Sequence, residues 1–471
     1  MYDHGREARN AILLTVLPSP KCTLTVDMLP CACLSGGALG QRDLSASMAP
    51  NAPQTAIGGK RSHSIIFLLD ISDSTIPDGA SLRTLNYARR LRGMGHRIYF
   101  LVPGWSYHPE VLQGLVDRGD IDGFSRLSEY QTNGLVNAIS RMFVVPGIRN
   151  RMLRPQQQQA LNEILYEIRR RDCDLVVLEQ RMYLFAIDEL KKRVSVVIDW
   201  CDSVALAWWR SIKLMIRQGD MKNLGNAIRH LITAVANESY YPGKAHANLV
   251  VSHIDKRTID HLSRSPEFIH VIPNGVSFPA SSPSCDRVPD RMIFTGWMNF
   301  PPNYEAALWF LDHVFPLILK VKPTAQFVIA GANPVPALTA RMNHNVQVTG
   351  AVPNLSLEIA RSQIYVAPLV SGGGFKNKVF EAMAAGTYVV GTNYAAEFLT
   401  PDLRECVTVA NGPANLARAI VSALADPEAL RPSVEKAQAI LRRNYSWEAR
   451  AEDLERIFNA CIVMRGATAG H

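Results

Sequence analysis

The sequence has little with which to staple itself, hold a metal or thread a membrane. Its eight cysteines include no Cys-x-x-Cys pair, and the one close set, Cys31-Ala32-Cys33, lacks zinc-ligand spacing. Scattered thiols predict a reducing compartment without disulfides. No stretch reaches the roughly 18 apolar residues that a spanning helix needs. "AILLTVL" (11–17) follows Arg6 and Arg9 in the manner of a signal peptide, but its apolar core is short and no small-residue cleavage site follows cleanly. There is no short-period repeat or coiled-coil heptad. No Asp-x-Asp stands at the carboxyl end of a strand, so no metal is expected. His96, His230, His253 and His270 are isolated from one another and none is assigned a role. The basic residues are dispersed and form no recognition motif, which argues against nucleic acid.

What is present is an ordinary globular composition, 47% hydrophobic and 20% charged over 471 residues, enough for two or three domains. The net charge of +8 points to an acidic partner such as a nucleotide or an anionic membrane. Residues 1–60 read as a disordered or misassigned extension, since "SASMAPNAPQTAIGGK" is linker-like and Met48 is a candidate start. From residue 63 short apolar runs alternate with helical patterns. "SIIFLLD" (64–70), "IYFLV" (98–102), "DLVVLEQ" (174–180), "VSVVIDW" (194–200) and "ANLVVS" (247–252) predict parallel strands covered on both faces. After a Pro- and Ser-rich stretch (271–290) a second series begins with "RMIFTG", "AQFVIAG", "NVQVTG", "IYVAPL" and "YVVGT", and ends in helices near 412–426, 428–443 and 446–464. The expectation is an α/β protein of two Rossmann-like domains facing a cleft, 61–272 and 273–445, with a last helix (446–465) that crosses back to the first domain.

"SGGGFKNKVFEAMAAG" (371–386) carries the chemistry. Gly372, Gly373 and Gly374 stand between a strand and a helix, where ligands of open α/β sheets bind. Glycine lets a phosphate approach the backbone, and a helix amino terminus offers unpaired N–H groups to it. Lys378 and Glu381 lie three apart on one helical face. The lysine suits a diphosphate and the glutamate, one turn deeper, suits the two ribose hydroxyls. The bland alternative is a tight turn followed by solvated charges.

The segment "GGGFKNKVFEAMAAGTYVVGT" resembles the donor-site motif of family 4 glycosyltransferases, retaining enzymes of the GT-B fold, and is most similar to bacterial exopolysaccharide enzymes. "VIPNGV" (271–276), "FTGWMNFPPNYEAALWFLDHVFPLI" (294–318), "FVIAGANP" (327–334), "VTGAVPNL" (348–355) and "YSWEARAEDLERIF" (445–458) resemble further parts of that family, and "IPDGASLRTLNYARRLRGMGHRIYFL" (76–101) does so more weakly. The resemblance implies a nucleotide-sugar donor, UDP- or GDP-linked, used as substrate with no cofactor. It implies diphosphate contacts at Gly372, Gly373, Gly374, Lys376, Lys378, Gly296 and Gly79, and ribose contacts at Glu381. Two departures stand out. The glutamate that many members carry eight residues before the ribose glutamate is Gly373 here, and the loop Gly296-Trp297-Met298-Asn299 lacks the usual cations. Lys376 and Lys378 must then supply the charge.

Lys378 would stabilise the leaving diphosphate, and Asp199 or Asp202 in "DWCD" would orient the acceptor hydroxyl or the sugar. The competing reading of Asp202 is a helix N-cap. Glu238 reads better as a packing residue than as a catalyst. Basic stretches with apolar residues, "SRMFVVPGIRNRMLRPQ" (140–156) and "LAWWRSIKLMIRQ" (206–218), suit an anionic membrane surface; alternatively Trp208, Trp209 and Leu214 pack in the core. The leading expectation is a cytoplasmic glycosyltransferase, peripheral at the inner face of the plasma membrane, that uses a lipid-linked saccharide acceptor in cell-surface or exopolysaccharide assembly. An inactive nucleotide-sugar-binding scaffold or a nucleotide-sugar epimerase of the same fold are the alternatives, the epimerase being poorer for want of a cluster of histidines and carboxylates.

Overall fold

The computed structural model describes residues 62–70, 79–128, 146–179, 183–263, 265–279, 287–371 and 374–469. The extension read over 1–60, Arg141, Gly372 and Gly373 lie outside them, as do the side chains of Arg149, Arg151 and Arg154.

The apolar runs form two all-parallel sheets. The first contains β1 (Ser64–Leu68), β2 (Arg97–Pro103), β3 (Gly123–Leu127), β4 (Leu175–Glu179), β5 (Ser195–Cys201), β6 (Ala247–Val250) and β7 (Ile269–Val271), in the spatial order 3-2-1-4-5-6-7. The second contains β8 (Val288–Thr295), β9 (Gln326–Ala330), β10 (Val346–Gly350), β11 (Ser362–Ala367), β12 (Tyr388–Gly391) and β13 (Thr408–Val409), in the order 10-9-8-11-12-13. In each sheet the order reverses beside the first strand, which opens a crevice at the carboxyl ends. Central strands such as β1, β4 and β11 are buried along their whole length, which is why they read as unbroken apolar runs. The expected pair of Rossmann-like domains is therefore present.

The chain crosses between the halves twice, and the two crossings lie side by side. Val276 donates its N–H to the Tyr445 carbonyl (2.8 Å), and Val276 bridges Ser446 in parallel. Trp447 then starts the last helix, Trp447–Ala469, which runs back over the first domain as expected. Its inner face buries Trp447, Ala451, Leu454, Phe458 and Cys461 in one core with Tyr87, Leu91, Val197 and Leu249. Tyr87 meets Trp447 edge to face at 5.5 Å, and Ser195 Oγ donates to the Cys461 carbonyl at 3.1 Å. Among the described residues no helix is long and apolar enough to cross a membrane.

Gly275 lies under the Trp447 ring, where a β-carbon would stand 2.4 Å from Cδ2. Trp447 is buried and has little room to yield. Gly275→Ala is expected to cost about 1–3 kcal/mol through overpacking. A denaturant midpoint equal to that of the unsubstituted protein would count against this packing.

Candidate active site

The site forms where the carboxyl ends of β5, β8 and β11 face one another. After β11 the chain reaches Gly374, whose φ of +75° is strained for any residue with a side chain. A β-carbon there would lie 2.6 Å from Oδ2 of Asp202, which comes from the other domain. The helix begins at Asn377, with Lys376 in the N-cap position, and runs to Ala384. Val379, Phe380, Ala382, Met383 and Ala384 anchor it in the core. Phe375 is only partly buried and stacks on Phe380 at 4.5 Å.

Both lysines are drawn out of water. Lys376 is buried with its ammonium 5.4 Å from the centre of the Phe398 ring. Burial holds its pKa down at about 8, although Glu397, Asp202 and Asp255 pull the other way. Lys378 keeps part of its surface open, but its ammonium is enclosed. It donates to Oδ1 of Asn303 and sits 4.9 Å from the centre of the Phe294 ring. Desolvation, then the charge of Lys376, lowers its pKa to about 7, with Glu381 acting in opposition. Gly296, at the end of β8, makes room for this arrangement, since a β-carbon there would stand 2.8 Å from Lys378 Nζ and 2.7 Å from Asn303 Nδ2. Asn303 is fixed by donating to the Trp297 carbonyl at 2.9 Å.

Glu381 is half-buried and its pKa is raised by desolvation, partly offset by Lys378. It lines a cavity of about 240 Å³ with Asn86, Asn274, Asn377 and Leu355. The cavity holds polar amides and one carboxylate between apolar walls, a mixture suited to a nucleoside. Gly79 begins the helix Gly79–Gly93, whose Leu82 and Asn86 complete the wall.

On the facing side β5 ends in a bulge, where its register on β6 shifts between Asp199 and Cys201, and Cys201 takes a φ of +57°. Such strain in a non-glycine residue is held in place by its surroundings. Here Asp199 supplies the hold. Its Oδ1 accepts the Cys201 N–H (3.1 Å) and its Oδ2 accepts from Arg83 Nε (2.8 Å). Asp202 projects past the bulge to Gly374 and accepts the Phe375 N–H. Desolvation, followed by repulsion from Asp255, raises Asp202 to about 6 against the pull of Lys376. Asp202 is not the N-cap; Ser203 caps the helix Val204–Gln218 by accepting the Leu206 N–H. Glu238 is buried and accepts from Ser203 Oγ and from the N–H groups of Val204 and Ala205, which accounts for it structurally.

Several groups had no distinguishing mark in the sequence. Arg83 is buried between the halves and donates to Asp199, to the Ile272 carbonyl (2.7 Å) and to Asn274 Oδ1 (2.9 Å). Asn274 in turn donates to Asn377 at the start of the lysine-bearing helix (3.0 Å). Arg210 pairs in two-pronged fashion with Glu397 of the second domain, at 2.8 and 3.0 Å. Glu179, at the end of β4, is buried beside Asp199 and accepts from Thr84. Among the described residues no three His, Cys, Asp or Glu side chains gather as a metal site.

Comparison with known proteins gives matches to part of the sequence and to the fold. Residues 289–426 match the family described as glycosyl transferases group 1. The chain is 30% identical over 128 residues to the lipopolysaccharide core biosynthesis mannosyltransferase LpcC of Rhizobium leguminosarum bv. viciae, covering 26% of this chain and 36% of that protein. It is 31% identical over 144 residues to a phosphatidyl-myo-inositol mannosyltransferase of Propionibacterium freudenreichii, covering 29% of this chain and 35% of that protein. The chain thus spans little more than a third of the length of these curated relatives. In three dimensions it resembles Anabaena HepE, solved in complex with UDP, with a TM-score of 0.59, 13% identity, and coverage of 84% of this chain and all of that one. The chain has the GT-B fold.

The depressed lysines make stability depend on pH with a definite sign. Unfolded lysine titrates near 10.4, whereas Lys378 titrates at about 7 and Lys376 at about 8 in the folded chain. Between these values the unfolded chain binds more protons, so ligand-free stability rises with pH through that window. Lys378→Met is expected to flatten that rise in part and to stabilise the ligand-free protein at pH 7, read from denaturant midpoints across the window. Parallel pH profiles for the two proteins would refute the enclosed charge.

Proposed function

We propose that this protein is a glycosyltransferase. It takes a sugar from a nucleoside diphosphate, UDP- or GDP-linked, and passes it with retention to a lipid-linked saccharide acceptor in cell-surface or exopolysaccharide assembly. The observation that carries this reading is the pair of desolvated lysines at the amino end of the helix Asn377–Ala384, one against a neutral amide, beside a polar cavity that contains Glu381. A diphosphate at the helix start relieves both lysines, and Glu381 accepts the ribose hydroxyls. The match of residues 289–426 to a glycosyltransferase family and the UDP complex of HepE support the donor class. The names of the two mannosyltransferase relatives, one of lipopolysaccharide core biosynthesis and one of phosphatidyl-myo-inositol, support a lipid-linked acceptor.

In the reaction the bond from the anomeric carbon to the diphosphate oxygen breaks, and its electron pair leaves with the diphosphate. The acceptor oxygen forms the new bond on the same face and gives up its proton. Lys378, Lys376 and the helix amino terminus stabilise the departing charge where it develops, without a metal ion. Asp202, at about 6, is more basic than an ordinary carboxylate yet ionised at neutral pH, so it suits proton acceptance or orientation of the reacting hydroxyl. Asp199 acts through Arg83 as a positioning residue. A non-catalytic nucleotide-sugar scaffold is the second reading, favoured by Gly373 and the cation-free loop at Gly296. Turnover separates the two.

Calorimetric titration with UDP, GDP and ADP tests the seat. One nucleotide is expected to bind tightly, and Glu381→Ala to weaken it about tenfold or more. Asp202→Asn is expected to leave that affinity intact and lower kcat by a factor of about 10² or more. Failure of all three nucleotides to bind the folded protein would overturn the assignment.

A further inference from the structure

A second cavity lies outside the cleft, within the first domain. One face of the first sheet packs on the helix Gly79–Gly93 and the last helix, and the other on the helices Pro146–Arg170 and Ile187–Leu190. Between the latter two helices and the end of Leu224–Tyr240 the surface folds into a cavity of about 340 Å³. That is at the small end of the roughly 300–1,000 Å³ typical of ligand sites. It shares no lining residue with the cavity of Glu381.

Its inner wall is polar and incomplete. Gln157 lines it and is only 6% exposed, yet among the described residues nothing donates to its Oε1. A buried acceptor without a donor is uncommon and destabilising, so one that borders a cavity marks a place for a ligand group that donates. Asn150 stands two turns earlier on the same face of the helix, and gives its Nδ2 to Tyr241 Oη at 2.8 Å. Gln158 completes a row of three amides, and Leu161, Phe185 and Tyr240 supply apolar and aromatic surface.

The charges here are already matched. Lys244 donates to both oxygens of Asp188, at 2.7 and 2.8 Å, and its Nζ sits 4.4 Å from the centre of the Tyr240 ring. Glu189 accepts from Lys192 at 3.1 Å. Each charged side chain described at the cavity therefore has a partner, and none is reserved for a phosphate or an amine. The wall offers amides that donate and accept, carboxylate oxygens with further lone pairs, and ring surface. A sugar ring presents the complement, with hydroxyls around its rim and C–H groups on its faces that suit the negative face of an aromatic ring.

We propose that this cavity binds a neutral saccharide, at a site separate from the cleft. One hydroxyl donates to Gln157 Oε1, others exchange hydrogen bonds with Asn150, Gln158 and Asp188, and the C–H face rests on Phe185 or Tyr240. Such a site gives the first domain a hold on a saccharide chain away from its reacting end. It depends on the chemistry of this cavity and not on the identity of the donor.

The test is saturation-transfer NMR on the full chain, with glucose, galactose, mannose, N-acetylglucosamine and maltose as probes. At least one probe is expected to bind with a millimolar Kd. Gln157→Leu removes the acceptor and Gln158→Trp fills the cavity, and each is expected to weaken that binding about tenfold or more. Gln158 is half-buried and its amide bonds only to Asn162 on the exposed surface, so this variant keeps the test decisive if Gln157→Leu fails to fold. A cooperative denaturant transition identifies the folded samples. Failure of every probe to bind the wild-type chain would mean a crevice that holds only water, and would overturn the inference. Wild-type affinity in either folded variant would place the sugar elsewhere and would overturn it equally.

Discussion

An ammonium group held against a neutral amide and an aromatic face is the constraint around which the rest of this site is organised. Lys378 has Asn303 and Phe294 for its direct contacts, and the Glu381 carboxylate only partly offsets the loss of water. Three glycine-dependent approaches make that geometry possible. Gly296 leaves space for the ammonium and for Asn303, Gly374 turns the chain into the helix, and Gly331 passes so close to β8 that a β-carbon would collide with the Gly296 carbonyl. Folding thus gives up stability to hold a cation out of water, and in the function proposed here an anion would relieve that cost.

The second organising feature is the path by which the two domains share the site. From Asp199 it runs through Arg83 to Asn274 and Asn377, all within hydrogen-bonding distance of their neighbours. Arg83 is buried, so removal of either ionic partner would leave the other stranded in a poorly solvated place. This path ties the strained end of β5 to the start of the lysine-bearing helix. The placement of Asp202 against Gly374 depends on it, because Asp199 also fixes the bulge that aims Asp202 across the cleft. The paired crossings at Val276 and Ser446 complete the connection beside the cavity of Glu381, which Val276 and Trp447 also line.

Much of the architecture was legible in the sequence because central parallel strands bury both faces, and β1, β2, β4, β5, β6, β8, β9, β11 and β12 appear there as apolar runs within two or three residues of their ends, as does the edge strand β10 through its alternating valines. The edge strands β3, β7 and β13 were not legible. "GFSRL" is half-exposed, and the other two are two or three residues long, so neither carries a run. The glycine–lysine segment stood out in the sequence because glycines run into charged helix residues, and the structure brings Gly374, Lys376 and Lys378 to the carboxyl end of β11. Its electrostatics were not. Whether Lys378 is solvated or enclosed depends on Asn303 and Phe294, some 75 residues away in sequence. Arg83 looked like one more arginine in "LRTLNYARRLRG", and only the folded contacts distinguish it from Arg89 or Arg90 on the same helix. The orientation of the two tryptophans was not legible either: Trp208 is half-buried against His230 and Trp209 is exposed.

Proton linkage during nucleotide binding tests the central claim most directly. If a diphosphate settles on Lys378 and Lys376, their pKa values return toward the ordinary lysine range and protons are taken up. Calorimetric titration of the nucleotide at pH 8, repeated in buffers of different ionisation enthalpy, measures that uptake. The account predicts uptake of about one proton or more, falling markedly in Lys378→Met if that variant still binds. Tight binding with no proton uptake would mean that the diphosphate does not rest on these lysines, and would contradict the account.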